Sequence, residues 1–400
     1  AISSNLVAMN IFYFLFEANY TQDFSNIKLL CIDEAHKLES SLLQFVEVRL
    51  NKRRFKREGY TLPLSPTFAS INKWTKEVVP QLTETYTELV ESLSLDPQNV
   101  LAIDKGISIK GLLDLCSRYI QLSDNTWIIE EDDNNVICKP VWTKKYTEPF
   151  IFKHTDKVIL VSATLPRKAL AALGIDDYEY INIPSGFTPV LRPIIWIPAA
   201  NLARSAENPL MEMKKLIASV DAIIAKFPKK KGIIHTTNYK ITQEVITQSK
   251  YKSRMFFHST SKERQTALDN FKLSSDGILV SPSFTEGIDL PYDGCRWQII
   301  CKLPYQDLSD KQTKARLEAD PEWYATAAIT TLVQAYGRIM RAPDDSGVTY
   351  ILDTGLLSAI KRWRSVFNQM DWFMEALYVS EGKTIRPISE ILGTVKIEDE

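Results

Sequence analysis

Runs that are apolar at nearly every position recur along the chain, and most stop abruptly at polar residues. Leu29-Leu30-Cys31-Ile32 meets Asp33-Glu34, and residues 158–161 meet Ser162-Ala163-Thr164. Gly232-Ile233-Ile234 ends in His235-Thr236-Thr237, and Ile278-Leu279-Val280 leads through Ser281 to Thr285-Glu286-Gly287-Ile288-Asp289. Gln298-Ile299-Ile300-Cys301 and residues 348–353 complete the set. Strands buried on both faces read this way. Longer stretches of helical spacing separate the runs, so the chain is predicted to be α/β with parallel sheets. Ligands of such sheets sit at the carboxyl ends of strands, which directs the search for chemistry to the polar endings.

Between Leu38 and about Phe150 the strand-like runs thin out. Trp74, Val78 and Leu82, then Leu89, Val90 and Leu93, keep helical spacing, which predicts a mostly helical insertion. It carries a basic run (Arg49, Lys52, Arg53, Arg54, Lys56, Arg57) and an acidic one at 130–133. Pro184, Pro189, Pro193 and Pro198 then punctuate the approach to a second α/β unit.

Composition narrows the classes. A chain of 400 residues should hold roughly two to three domains. Its 45% hydrophobic and 24% charged residues exclude wholesale disorder and fibrous structure. A net charge of -1 supplies no global positive field, so a polyanion would have to be held by a local patch. The greasy stretch 6–16 is broken by Asn10 and stopped by Glu17, too short to span a bilayer. Five cysteines without a CxxC point to a reducing, intracellular setting: cytoplasm or nucleoid, or host cytoplasm if the source is viral. The start, Ala1-Ile2-Ser3-Ser4, has neither an initiator Met nor a signal peptide and reads as a cut into a longer protein.

Asp33-Glu34-Ala35-His36 is the sharpest chemical signal. A strand delivers two adjacent carboxylates to its end; the first can hold Mg²⁺ through water and the second can orient an attacking water. His36 could couple that centre to a neighbouring domain. Taken alone, the acids could equally begin a helix, where they favour the dipole. Gln334, Arg338 and Arg341 fall at i, i+4 and i+7, one predicted helix face, and two guanidiniums there suit a γ-phosphate. By itself such a face could be merely solvated. Ser162 and Thr164 offer hydroxyls, although a Ser/Thr turn capped by Pro166 fits them as well. Gly287 could let backbone approach phosphate while Asp289 orients a ribose or an arginine.

In this order the motifs resemble those of a superfamily 2 DNA helicase of the DinG/XPD-like (DEAH-box) group. Asp33 to His36 look like its Walker B box, Ser162 to Thr164 like motif III, Ser283 to Asp289 like motif V, and Gln334 to Arg341 like motif VI. Asn19-Tyr20 and Lys302-Leu303-Pro304-Tyr305 also lie where the family has them. The resemblance implies tandem RecA-like motor domains, the first incomplete: residues 1–40 and 150–170 in motor domain 1, 41–149 as an arch-like insertion, and 171–400 as motor domain 2. It implies ATP and Mg²⁺ as cofactors, the metal at Asp33, with Asp33, Glu34, His36, Gln334, Arg338 and Arg341 catalytic and Gly287, Asp289, Ser162 and Thr164 beside the nucleotide. It further implies a monomeric motor that unwinds single-stranded or forked DNA 5′→3′, in company with other replication or repair proteins. Thr236, Thr237 and Asn238 at a strand end, and Arg53 and Arg54 in the basic run, are candidate DNA contacts.

Three departures qualify that picture. There is no Gly-x-x-x-x-Gly-Lys-Thr loop; Gly382-Lys383-Thr384 lacks the leading Gly and follows every other motif. The chain alone is therefore expected to be inactive. Many family members ligate an iron–sulfur cluster through four cysteines upstream of the acidic box, whereas only Cys31 lies upstream here, so no cluster is expected within this chain. The last strand ends Asp353-Thr354-Gly355, without the family's usual arginine. The rival readings are a degenerate module that binds DNA or a protein without turnover, and a fragment of a nuclease-linked helicase.

Overall fold

The structure is a computed structural model describing residues 4–392 apart from 22, 23, 25, 261, 283–287, 340 and 383. It divides into two compact units, residues 1–178 with 307–323, and residues 179–306 with 324–400.

In the first unit, β1 (Leu30–Ile32) pairs in parallel with β5 (Val158–Leu160), Ile32 opposite Leu160. Both strands are among those expected from the apolar runs. Leu29, Ile159 and Val161 remain about half exposed around this two-stranded sheet. The helix Leu38–Val46 follows β1 and buries Leu38, Leu42 and Val46, one stripe at four-residue spacing. Beyond it comes a feature absent from the sequence reading. β2 (Val48–Asn51), β3 (Ile128–Glu131) and β4 (Asn135–Lys139) form an antiparallel sheet in the order β2-β4-β3. Val48, Leu50, Val136 and Cys138 point inward from it. The strands are only four or five residues long and half polar, so no continuous apolar run marks them. The acidic stretch 130–133 is the end of β3 and the start of its turn, where Asp132 Oδ1 accepts from the Asn134 and Asn135 amides at 2.7 Å each.

Two long helices, Phe68–Leu95 and Val100–Leu122, pack together as a hairpin. The first starts in a capping box between Thr67 and Ser70 and buries Ile71, Trp74, Val78 and Leu82. Gly111 lies in the second helix, and an added Cβ there would meet Arg54 Nη2 at 2.2 Å. Glycine at this point leaves room for the guanidinium.

Residues 307–323, read from sequence as part of the second motor domain, pack with the first unit instead. Lys139, nearly buried, joins Glu130 and Asp310 at 2.8 Å each. Arg316 Nη1 pairs with Glu39 Oε1 at 2.9 Å while its guanidinium lies over the rings of Trp142 and Trp323. A segment this dense in hydrogen-bonding partners buries its charges because each meets an opposite one.

The second unit is built on an eight-stranded sheet. Its strands are β6 (Ile194–Ala200), β7 (Gly232–His235), β8 (Met255–Phe257), β9 (Ile278–Ser281), β10 (Trp297–Ile300), β11 (Val348–Asp353), β12 (Leu377–Glu381) and β13 (Thr384–Pro387). The order is β13-β12-β6-β11-β10-β7-β9-β8, parallel except for the β12–β13 hairpin. Gly382 at φ 67° turns the chain after β12 and Thr384 opens β13, while Lys383 lies outside the described residues. β6 was hidden behind its prolines. Pro198 sits inside it, at an irregularity in the β6–β11 register between Ile351 and Asp353, where a residue with no N–H to donate is tolerated.

Candidate nucleotide and DNA site residues

In the first unit Asp33 and Glu34 follow β1 directly and both are exposed. The ladder continues past the strands: Val161 N–H donates to Ile32 O and Ala35 N–H to Val161 O, both at 2.9 Å. The acidic turn and the Ser162 turn are thus held side by side. Asp33 Oδ1 accepts from the Glu34 amide at 2.8 Å. Glu34 itself is left-handed, φ 51° and ψ 41°, a conformation that costs a non-glycine residue about 1–2 kcal/mol. Strain of this kind persists where the surroundings over-determine it. His36 Nδ1 lies 2.8 Å from Ser162 Oγ and 3.3 Å from Glu34 Oε2. Ser162 Oγ also accepts from the Thr164 amide at 3.1 Å. His36 thus joins the β1 and β5 loops of the first unit through Glu34 and Ser162. Thr164 is buried.

In the second unit the predicted helical face of Gln334, Arg338 and Arg341 needs correcting. The helix Pro321–Tyr336 ends before either arginine, with Gly337 N–H bonding back to Val333 O and Arg338 N–H to Ala335 O. Gln334 is in the helix, Arg338 lies in the turn beyond it, and Arg341 follows after that turn. A second segment brings the arginines together instead: Arg338 Nη1 and Arg341 Nη2 both donate to Ile288 O, at 3.4 and 2.9 Å. Arg341 Nε also pairs with Asp289 Oδ1 at 2.7 Å. Gly287 and the rest of 283–287 lie outside the described residues.

The candidate DNA residues separate. Thr236 is fully buried, its Oγ1 2.6 Å from Thr242 Oγ1 and its amide donating to Ser281 O, so its side chain has no open face for DNA. Thr237 follows at φ 66° with a buried hydroxyl that has no hydrogen-bond partner among the described residues. Exposed Asn238 caps the helix Tyr239–Gln248, accepting from Ile241 N–H at 2.8 Å. In the basic run, Arg57 pairs with Glu58, Lys52 with Glu131, and Arg49 with Glu47. Arg54 is half-buried against Ser108 O at 3.3 Å, and Arg53 and Lys56 are exposed, as are Arg49 and Arg57 beside their carboxylate partners. Asp353, two residues before the position that lacks the family's arginine, is a structural pin: Oδ2 accepts from Leu303 N–H and Oδ1 from Gly355 N–H, each at 2.8 Å.

Sequence reading missed a polar chain beneath the arginines. His235 Nε2 lies 3.1 Å from Gln298 Oε1, and Gln298 Nε2 donates to Tyr336 O at 2.9 Å and Thr349 Oγ1 at 2.8 Å. The available signal was Gln298 itself, the one polar residue between Trp297 and Ile300 in a fully buried strand. Burial pushes His235 down to about 4, opposed by the Gln298 bond and helped by the charge of Arg338. Among the described residues no three His, Cys, Asp or Glu converge as a metal centre, and no helix is long and apolar enough to cross a membrane.

Residues 222–370 match the family model described as the helicase C-terminal domain. A Methanocaldococcus jannaschii protein named “probable ATP-dependent helicase” is 23% identical over 263 residues, covering 59% of this chain and 39% of that protein. The ATP-dependent DNA helicase YoaA of Escherichia coli is 27% identical over 202 residues, covering 46% and 30%. The chain thus spans well under half the length of these relatives. Xpd4 of S. tokodaii shares the fold, with a TM-score of 0.56 at 15% identity over 92% of this chain and 81% of that one.

Proposed function

We propose, from the premise that this chain belongs to the DinG/XPD-like superfamily 2 helicases, that it is the C-terminal part of an ATP-driven DNA helicase working inside the cell. Asp33 would hold Mg²⁺, which supplies charge neutralisation for a triphosphate; the donor set fits, since Asp33 is exposed and commits one oxygen to the Glu34 amide. Glu34 would orient water, its backbone strain fixing the direction of its carboxylate. Ser162 and His36 would hold that turn in place. Arg338 and Arg341 would face the phosphates, with Asp289 and the Ile288 carbonyl setting their spread.

The observation that carries this reading is the Asp33–Glu34 turn. It places two solvent-facing carboxylates at the carboxyl end of a parallel strand and ties them through His36 to Ser162. The half-exposed apolar residues around the β1–β5 sheet support the view that further strands complete the first unit in a longer protein, because parallel sheets are covered on both faces. A phosphate-cradling loop would come with them. Arg53 and Lys56, facing outward from the helix Lys52–Arg57, would meet the strand backbone by charge alone.

The test is strand displacement by the full-length protein on duplexes with a 5′ or a 3′ single-stranded tail. ATP-dependent opening from the 5′ tail is the expected result. Tight binding to both substrates with no opening would favour a degenerate binding module.

A further inference from the structure

The chain His235–Gln298–Tyr336 enters the motifs only at Tyr336, within the Gln334–Arg341 string, and it lies under the segment that carries both arginines. Register explains how three strands contribute to it. Gln298 is opposite Ile233 on β7 and Thr349 on β11, while His235 is opposite Ile300, so His235, Gln298 and Thr349 share one face of the sheet. The apolar residues of that face, Ile233 and Leu279, cluster with Ile288 and Ile339, which flank Asp289 and Arg338 in sequence. A glutamine there must earn its burial by hydrogen bonding.

It does so completely. Both amide protons are given, one to Thr349 Oγ1 and one to the Tyr336 carbonyl, and the amide oxygen accepts from His235 Nε2. Tyr336 is the last residue of its helix, where carbonyls lack helical partners. Two residues later comes Arg338.

We infer that Gln298 is a positioning residue for Arg338: it pins the end of the helix to the sheet, and His235 locks its amide in the donating orientation. This rests on the reading of the two arginines as phosphate-facing groups. His235 can serve because burial keeps it neutral, with one N–H to give and no positive charge added beneath Arg338. Without the pin, the Tyr336 carbonyl loses its side-chain donor and the turn carrying Arg338 gains freedom. A misplacement of this kind acts on the transition state more than on ground-state binding.

The experiment compares DNA-stimulated ATP turnover in the full-length protein for wild type, Gln298→Met, Arg338→Ala and the double variant. Methionine keeps the volume and removes both donors. Gln298→Met should lower kcat about tenfold with KM for ATP changed by less than about twofold, and should cost nothing further once Arg338 is alanine. If Arg338→Ala leaves turnover intact, the arginine reading fails and this inference with it. If Arg338→Ala cripples turnover while Gln298→Met is silent, or multiplies its loss in the double variant, only the positioning role is overturned. Should Gln298→Met fail to fold, His235→Phe decides by the same criteria, with an expected loss of about threefold in kcat.

Discussion

Arg341 Nε and Asp289 Oδ1 lie 2.7 Å apart, yet the Asp289 side chain is 73% exposed and that of Arg341 33%. An ion pair this wet contributes at most about 1 kcal/mol to stability. Its consequence is geometric, because it orients a guanidinium whose Nη2 is already engaged by Ile288 O. Asp289→Asn should therefore leave the urea unfolding midpoint nearly unchanged while lowering ATP turnover of the full-length protein by roughly tenfold. Equal losses of stability and turnover would assign the pair to folding instead.

Glu34 offers a separation of stability from activity. Glu34→Gln keeps the left-handed backbone and removes the charge, so thermal stability should hold while turnover falls by about two to four orders of magnitude. Glu34→Gly relieves the strain at φ 51° and should be more stable by up to about 1 kcal/mol, and equally inactive. Comparing the two melting curves with the two rates checks both halves.

The parts of the fold that were legible in sequence are those with unbroken apolar runs. β1, β5, β7, β9, β10 and β11 all lie where such runs predicted parallel strands, buried throughout in β7, β9 and β10 but half exposed in β1 and β5. β6 was hidden because Pro198 reads as a break and only the register irregularity accommodates it. The small β2–β4–β3 sheet was hidden because its strands are short and interrupted by polar residues. At the candidate site, the acidic turn could be read from local sequence. The arginines were assigned to a helix face on spacing alone, although Gly337 directly after Tyr336 is a local stop signal, and their common partner Ile288 is about fifty residues away.

Arg316 ties residues 307–323 into the first unit, and its burial with Glu39 makes the pair sensitive to loss of one member. Burial presses the Arg316 guanidinium below its ordinary value, with Glu39 opposing. Glu39→Ala would leave that cation buried without its partner, at a cost of about 3–5 kcal/mol. Denaturant unfolding should show a loss of this size, and hydrogen exchange should quicken first in the helix Lys311–Ala319.

His235 gives a pH signature. Its value falls from 6.5 to about 4 on folding, chiefly through burial. Below pH 6.5 the unfolded chain takes up a proton that the folded chain refuses. Its contribution is therefore neutral above pH 6.5, and stability is lost as pH falls from there towards 4. The slope for this one group approaches about 1.4 kcal/mol per pH unit. The difference between wild type and His235→Phe in unfolding free energy across that interval measures it, and parallel curves would mean that the histidine is not buried as found.

The most direct test of the central claim is ATP turnover by the full-length protein with and without single-stranded DNA, beside Glu34→Gln and Arg338→Ala. The account predicts DNA-stimulated turnover that falls by at least about a thousandfold when Arg338 is removed and by about two to four orders of magnitude for Glu34→Gln. Turnover retained in either variant would contradict it, because the acidic turn and the arginines would then not serve ATP.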